Sequence, residues 1–419
     1  MADKEQTPPR GPNPPKPRNK AAAAARREAR VRRLWQRLVL IALCVVAVGI
    51  VDLRARVYRQ EQGLTENDGY FVRDDVGAGE DVPVQSTPEP VERVAYTGIV
   101  ENIVIRPLIA YPELAFDGDD QEASMDAWHL TVSEYKKLLE SLYNNGYVLV
   151  YAPDLYEETT DAYGRAVMTP RELYVPKGKT PLILNFDDFY TTSMRENGTV
   201  YKLILDENGE FASWGLDPQG QEVVSYELDA ITILEAFIAE HPDFSLDGAR
   251  ATLGLSGKEG ILGYATQSAS PTRTAEIQAV EPVIHALLYN GYTFAYHSYG
   301  HFDFSQQTAE AVQQDVDQWL SEVGSLVGET TLVSYPYGGR LDNSGQAMSY
   351  LLGKGFRVFQ SMGIESYVNL TEGLPIVNMD RLHPDGQTLR WNRDIYLDFF
   401  DAKEIFDYDV RPDLGYDFE

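Results

Sequence analysis

The chain has 419 residues, 43% of them apolar and 11% aromatic, enough for one large folded domain with appendages. Its net charge of −28 is unevenly placed: residues 1–37 carry +8 and the remainder −36, a body that repels nucleic acid and excludes a nucleic-acid module. Cys44 is the sole cysteine, which excludes an intrachain disulfide.

Residues 1–20 are Pro-rich and polar, a composition that stays disordered, and Ala21–Arg37 reads as an alanine- and arginine-rich helix. Together they form a basic tail, residues 1–37. The uncharged apolar run Leu38–Val51 follows; at helical rise it covers about 21 Å, short of the roughly 30 Å hydrocarbon core. Leu34, Trp35 and Leu53 lengthen the span and the flanking arginines can snorkel. Residues 38–53 are therefore expected to be a transmembrane anchor, with the N-terminus cytoplasmic and the rest outside. A cleaved secretory signal is the competing reading, since Ala47-Val48-Gly49 has the small-x-small form, but the long basic lead favours the anchor. Residues 54–95, rich in Asp, Glu, Gly and Pro, read as an acidic linker.

The folded part is expected over residues 96–399, with 400–419 as a tail. Thr131 and Glu134 form a capping-box pair ahead of the apolar stripe Val132, Tyr135, Leu138, Leu139 and Leu142. The segment Leu142–Tyr151 resembles Leu288–Tyr296, and Leu351–Phe359 echoes both: a helical pattern ends at a glycine and a short β-prone run follows. Further helices are expected over Ile231–Ile238 and Gln307–Val323. This alternation implies a parallel sheet, doubly wound or closed into a barrel. Between 190 and 226 the rhythm breaks, and Asp206-Glu207-Asn208-Gly209 has hairpin-turn chemistry. A β-hairpin inserted there is expected to hang over the sheet's C-terminal edge.

In parallel α/β folds functional groups gather at that edge. The strand-like run Pro181–Phe186 ends in Asp187 and Asp188, and Gly291–Tyr296 runs into His297-Ser298-Tyr299-Gly300-His301. Two imidazoles and a carboxylate suit zinc, and also cobalt, nickel, manganese or iron. An isolated His pair is more often a surface or capping feature; its occurrence together with paired aspartates at strand ends favours a metal site. His129, His241 and His285 lie outside strand ends and read as structural. Tyr190, Tyr299 and Trp214 could stack on sugar rings, although aromatics in so aromatic a chain more often pack.

This constellation resembles the polysaccharide deacetylases of the NodB-homology type, carbohydrate esterase family 4, over roughly residues 98–395. Asn185-Phe186-Asp187-Asp188 matches the family's Thr-Phe-Asp-Asp motif, His297–His301 its His-Ser/Thr-x-x-His motif, and Tyr335-Pro336-Tyr337-Gly338 the Pro-Tyr-Gly core of its third. The resemblance implies a distorted (β/α) barrel, Asp187 as base, and Asp188, His297 and His301 as metal ligands. It also implies the backbone N–H of Tyr337 as an oxyanion donor and substrate contacts from Tyr299, Pro336 and Tyr190. The chain departs from the pattern at Ser334, where the family carries an Arg that orients the base, and in lacking an Asp-x-x-Asp-Trp motif. Leu382 and His383 are adjacent where the family has Leu-x-His, so His383 is a candidate acid without the expected spacing, and Arg381 could instead contact Asp187. The implied function is metal-dependent deacetylation of an N-acetylated cell-wall or extracellular polysaccharide. The alternatives are a glycan O-acetyl esterase and a non-catalytic glycan-binding relative; the latter gains if nothing in space replaces the missing Arg or acid.

Overall fold

The computed structural model of the chain describes residues 91–397 and 399–414. The basic tail, the expected anchor and all but the end of the acidic linker lie outside them. Among the described residues no helix is long and apolar enough to cross a membrane.

The described chain begins with β1 (Arg93–Tyr96) and β2 (Glu101–Ile105). After the helices Glu122–Trp128 and Val132–Asn144 come β3 (Tyr147–Leu149), the hairpin of β4 (Tyr156–Thr160) and β5 (Ala166–Pro170), then β6 (Leu173–Pro176) and β7 (Thr180–Asp187). The insertion holds β8 (Lys202–Leu205), β9 (Phe211–Leu216) and β10 (Glu222–Ser225). Helices then alternate with β11 (Thr252–Leu255), β12 (Thr293–Tyr296), β13 (Leu332–Ser334) and β14 (Val358–Met362), and β15 (Val368–Leu370) and β16 (Val377–Arg381) complete the strands.

The main sheet runs β15-β16-β14-β13-β12-β11-β7-β2, with β3 also on β7. Every pairing is parallel except β15 against β16. The sheet curls until its ends meet: Val104 N–H donates to Leu382 O and Leu382 N–H to Asn102 O, each at 2.9 Å. Two hydrogen bonds thus close the distorted barrel that the sequence led us to expect. Inside it, Asn185 donates to Asn102 Oδ1 (2.7 Å) and to Ile103 O (2.8 Å), and Asn102 donates to Gln360 Oε1 at 3.3 Å. These amides bond one another across strands in an interior that side chains must fill, although Asn185 Oδ1 and Gln360 Nε2 find no partner among the described residues. All residues of β7 after Thr180 are buried, as a strand covered on both faces requires.

The capping box is present, with Glu134 N–H donating to Thr131 Oγ1 (3.1 Å) and Thr131 N–H to Glu134 Oε2 (2.8 Å). The three echoing segments each turn at a left-handed glycine, Gly146, Gly291 and Gly355 (φ 82°, 95° and 99°). The expected helix over 307–323 is α-helical only over Ala309–Trp319, and a π-turn takes up Leu320–Gly324.

Two expectations need correction. The insertion is a three-stranded antiparallel sheet rather than a hairpin, and Leu203 N–H ties it to Leu262 O, in the loop after β11, at 3.2 Å. Its buried Leu203, Phe211 and Ala212 need an apolar partner and find it on the outer helices: β8 packs on Arg273–Tyr289 and β9 on Ala230–Glu240. Nor is the stretch after 400 a free tail. Arg411, fully buried, reaches Glu134 through Nε and Nη2 (2.6 and 2.7 Å) and Asp126 through Nη1 (2.9 Å). Arg390 closes on the same Asp126 carboxylate (Nη2 to Oδ1, 3.0 Å).

Removing one partner from a buried charged network leaves another charge uncompensated, so Arg411→Ala is expected to cost about 3–5 kcal/mol in urea unfolding. Arg93→Ala, which breaks an ion pair exposed on both sides, is expected to cost about 0–1 kcal/mol in the same measurement.

Candidate metal centre and active site

Strands β7 and β12 are separated in the sheet only by β11, so their C-terminal ends deliver Asp187, Asp188, His297 and His301 to one place. Asp188 Oδ1 lies 2.7 Å from His301 Nε2 and 3.3 Å from His297 Nε2, and one donor atom from each residue falls within 4.8 Å of the others. Tight turns bring this about. Asp188, Ser298 and His301 all adopt positive φ (62°, 54° and 51°), as does Tyr337 beside them (57°). Such backbone costs a non-glycine residue about 1–3 kcal/mol and persists only where the surroundings impose it.

Asp315 imposes it on the histidine loop. This buried carboxylate, on the helix Ala309–Trp319, accepts from Tyr299 N–H and Gly300 N–H (both 2.7 Å), Ser298 Oγ (3.1 Å) and Tyr296 Oη (2.5 Å). Four donors on one carboxylate fix the loop between the two imidazoles.

The imidazoles are set for a cation. His297 Nδ1 lies 2.9 Å from Ser334 O, a pure acceptor, so Nδ1 carries the proton and Nε2 the lone pair. That lone pair points at a carboxylate oxygen. Two buried acceptors face each other stably only with a proton or a cation between them. Bonds of about 2.1 Å in a tetrahedral shell put neighbouring ligand atoms about 3.4 Å apart, close to the His297–Asp188 separation. Residues Asp188, His297 and His301 thus fit a divalent metal, with Nδ1 of His301 steadied by Tyr337 Oη at 3.2 Å. Burial would lower the His297 pKa, but Asp187 and Asp188 outweigh it and raise it above the ordinary histidine value. Burial likewise favours a neutral Asp188, and the two histidines hold it well below the usual carboxylate range instead. Arg106 donates to the other oxygen of Asp188, Oδ2, at 3.0 Å, leaving Oδ1 to the histidines.

Asp187 is fully buried beside them. Ser334 Oγ donates to its Oδ2 at 2.7 Å, and Arg381 Nη1 lies 2.8 Å from the same oxygen. The guanidinium that the sequence lacks at Ser334 therefore arrives from β16, two strands along the sheet. Burial pushes the Asp187 carboxyl up; Arg381 and His297 overcome this and leave it below the ordinary value. Oδ1 makes no hydrogen bond and packs on Gly254 of β11, where a Cβ would sit 2.2 Å from it.

A cavity of about 420 Å³ opens over these groups, within the range of small-ligand sites. Arg106, Ser124, Trp128, Tyr337, Met362 and His383 complete its lining. His383 turns Nδ1 to Asp385 Oδ2 (3.1 Å), and its buried Nε2 makes no hydrogen bond. The structure thus brings together Asp187, Asp188, His297, His301, Tyr337 and His383.

It does not bring the other three expected residues to the cavity. Tyr190, turned by a positive φ of 66°, is buried in the core against Phe189. Tyr299 bends away to donate to Glu322 Oε2 at 2.8 Å, and Pro336 is buried in the turn that projects Tyr337. Arg106, Ser124, Trp128 and Asp315 were not among the expected site residues. Asp315 had a legible signal, an acid on the apolar face of Val312, Val316 and Trp319; Trp128 had none. His129, as expected, is buried outside the lining, bonded to Pro107 O at 2.7 Å, and burial lowers its pKa to about 3.

No protein-family model and no curated protein sequence matches the chain. Several solved structures are similar to it, and three of them cover most of its length. These three are the Streptococcus pyogenes deacetylase PplD in complex with acetate (12% identity, 71% of this chain and 97% of that one, TM-score 0.38), a de-N-acetylase from Aggregatibacter actinomycetemcomitans (13%, 70% and 97%, 0.40) and IcaB from Ammonifex degensii (11%, 72% and 99%, 0.39). These likenesses are distant, and the chemistry open to the site is read from its own donors.

Because a proton and a cation compete for His297 Nε2, zinc affinity is expected to fall as pH drops through a value above 6.5, with proton release on binding at pH 7. Calorimetric titration in buffers of different ionisation enthalpy checks this; affinity independent of pH between 8 and 6 would remove His297 from the ligand set. Asp315→Asn, which weakens the support of the ligand loop, is expected to reduce zinc affinity about 10- to 100-fold in the same titration.

Proposed function

We infer that the protein is a metal-dependent deacetylase acting on an N-acetylated polysaccharide. One observation carries this reading: an Asp-His-His donor set, an ionised buried carboxylate and an Asp-backed histidine all line one cavity. These are the parts that hydrolysis of an amide requires, and they match the motifs through which the sequence resembles the NodB-homology deacetylases.

A divalent cation held by Asp188, His297 and His301 would polarise the acetyl carbonyl and acidify a water; zinc is the metal we favour for two imidazoles and a carboxylate. The chain's own groups supply the rest. Asp187, kept ionised by Arg381, takes the proton of the attacking water. Its Oδ2 is held by Ser334 and Arg381, while Oδ1 makes no hydrogen bond. By resemblance, the backbone N–H of Tyr337 donates to the oxygen that becomes negative as water adds. His383, oriented by Asp385, gives a proton to the departing nitrogen through Nε2. The carbon–nitrogen bond breaks, and acetate and a free amine leave. Arg381 and His383 fill in space the two roles whose loss would have favoured a non-catalytic glycan binder. An ester-linked acetyl group could be attacked by the same centre.

We further propose that residues 38–53 anchor the chain, with 1–37 in the cytoplasm and the barrel on the outer side. The basic lead and apolar run support this topology, and a cell-wall or extracellular glycan is the natural substrate for a domain held there.

The metal-loaded protein is expected to release acetate from chito-oligosaccharides or peptidoglycan, with chelation abolishing release. Asp187→Asn and His383→Ala are each expected to lower the rate about 10²- to 10⁴-fold. No metal-dependent release from any N- or O-acetylated glycan would sink the reading.

A further inference from the structure

We propose that Trp128 is a substrate-binding residue: its indole, at the mouth of the cavity, is the platform on which one pyranose ring of an N-acetylhexosamine chain stacks. This rests on the deacetylase reading and names how the glycan is gripped.

Trp128 lines the cavity yet remains 42% exposed. Leaving a large indole face in water forgoes the burial that usually stabilises tryptophan. The residues on either side of it are pinned. Asp126, two positions before, is clamped by Arg390 and Arg411, and Arg411 also binds the Asp126 carbonyl at 2.7 Å. His129, the next residue, is buried; its carbonyl accepts from Arg411 Nη2 at 2.6 Å and its ring bonds Pro107 O. The helix Glu122–Trp128 is thus nailed down from both sides of the indole by charges that take no part in the chemistry.

Such a network is a poor source of stability, since desolvating its charges offsets much of their attraction. What it does deliver is orientation. A side chain held rigid before binding loses little entropy when a ligand docks. The second exposed aromatic of the lining is Tyr337, 67% exposed, with its ring edge-on to His301 at 5.0 Å. Arg106 and Ser124 add polar groups to the same wall. A pyranose presents an apolar C–H face and a rim of hydroxyls, which suits aromatic surface interrupted by a few donors.

The test uses the zinc-loaded protein and chitotetraose. Titration is expected to change indole fluorescence in the parent protein, and the change is expected to be absent in Trp128→Phe. In steady-state acetate release, Trp128→Ala is expected to raise KM about tenfold while kcat falls less than threefold, and Trp128→Phe to restore most of the affinity. A fluorescence change retained in Trp128→Phe, an unaltered KM in Trp128→Ala, or no binding of chitotetraose by the parent protein would each overturn the assignment. A Trp128-dependent fluorescence change without any acetate release would uphold the platform and refute the deacetylase reading, so the two failures are distinguishable.

Discussion

Asp187 carries a negative charge while almost wholly buried at the base of the cavity, and much of the surrounding structure follows from making that tolerable. An isolated carboxylate at this depth would neutralise itself by taking a proton. Arg381 prevents this from β16 and Ser334 from β13, both on the same oxygen. The absence of a side chain at Gly254 lets the other oxygen sit against β11. The contacts from Arg381 and Ser334 require the sheet to curl, because a flat sheet would carry β16 and β13 away from β7. The curvature that closes the barrel and the ionisation of Asp187 are therefore one constraint.

The same economy governs the ligand loops. Asp188, Ser298, His301 and Tyr337 occupy backbone conformations that cost them stability, and the cost concentrates where the side chains must converge. Asp315 holds one of these loops with four hydrogen bonds from a helix that is otherwise apolar on its inner face. Strain at the cavity is matched by order behind it. That order extends to the far wall, where the buried guanidinium of Arg411 ties the C-terminal segment to two helices.

How much of this was legible depended on whether the signal was local. The capping box at Thr131, the glycine-terminated helices and the runs ending at Asp187 and Tyr296 are patterns within a few residues, and the structure reproduces them. The convergence of Asp187, Asp188, His297 and His301 followed from a rule about strand ends, which needs no tertiary detail. Arg381 was the opposite case: its role depends on which strand lies where, and the sequence placed it only as one option. Tyr190 and Tyr299 were misjudged because adjacency to a motif says nothing about the direction a side chain takes, and a left-handed turn at Tyr190 sends the ring into the core. The insertion was read correctly as β-structure but as a two-stranded hairpin, where the structure adds β10 as a third strand. Trp128 left no trace, because what fixes it lies at Arg390 and Arg411, distant in the chain.

The seam between β2 and Leu382 also sets an order in time. Asn102 and Val104 appear early in synthesis and wait for a partner near the end of the domain; Arg381 and His383 flank that partner. A polypeptide truncated anywhere before residue 381 lacks the counter-charge for Asp187, the His383 imidazole of the cavity wall and the last staple of the barrel together. The complete cavity is therefore an all-or-nothing property of a chain that extends through His383.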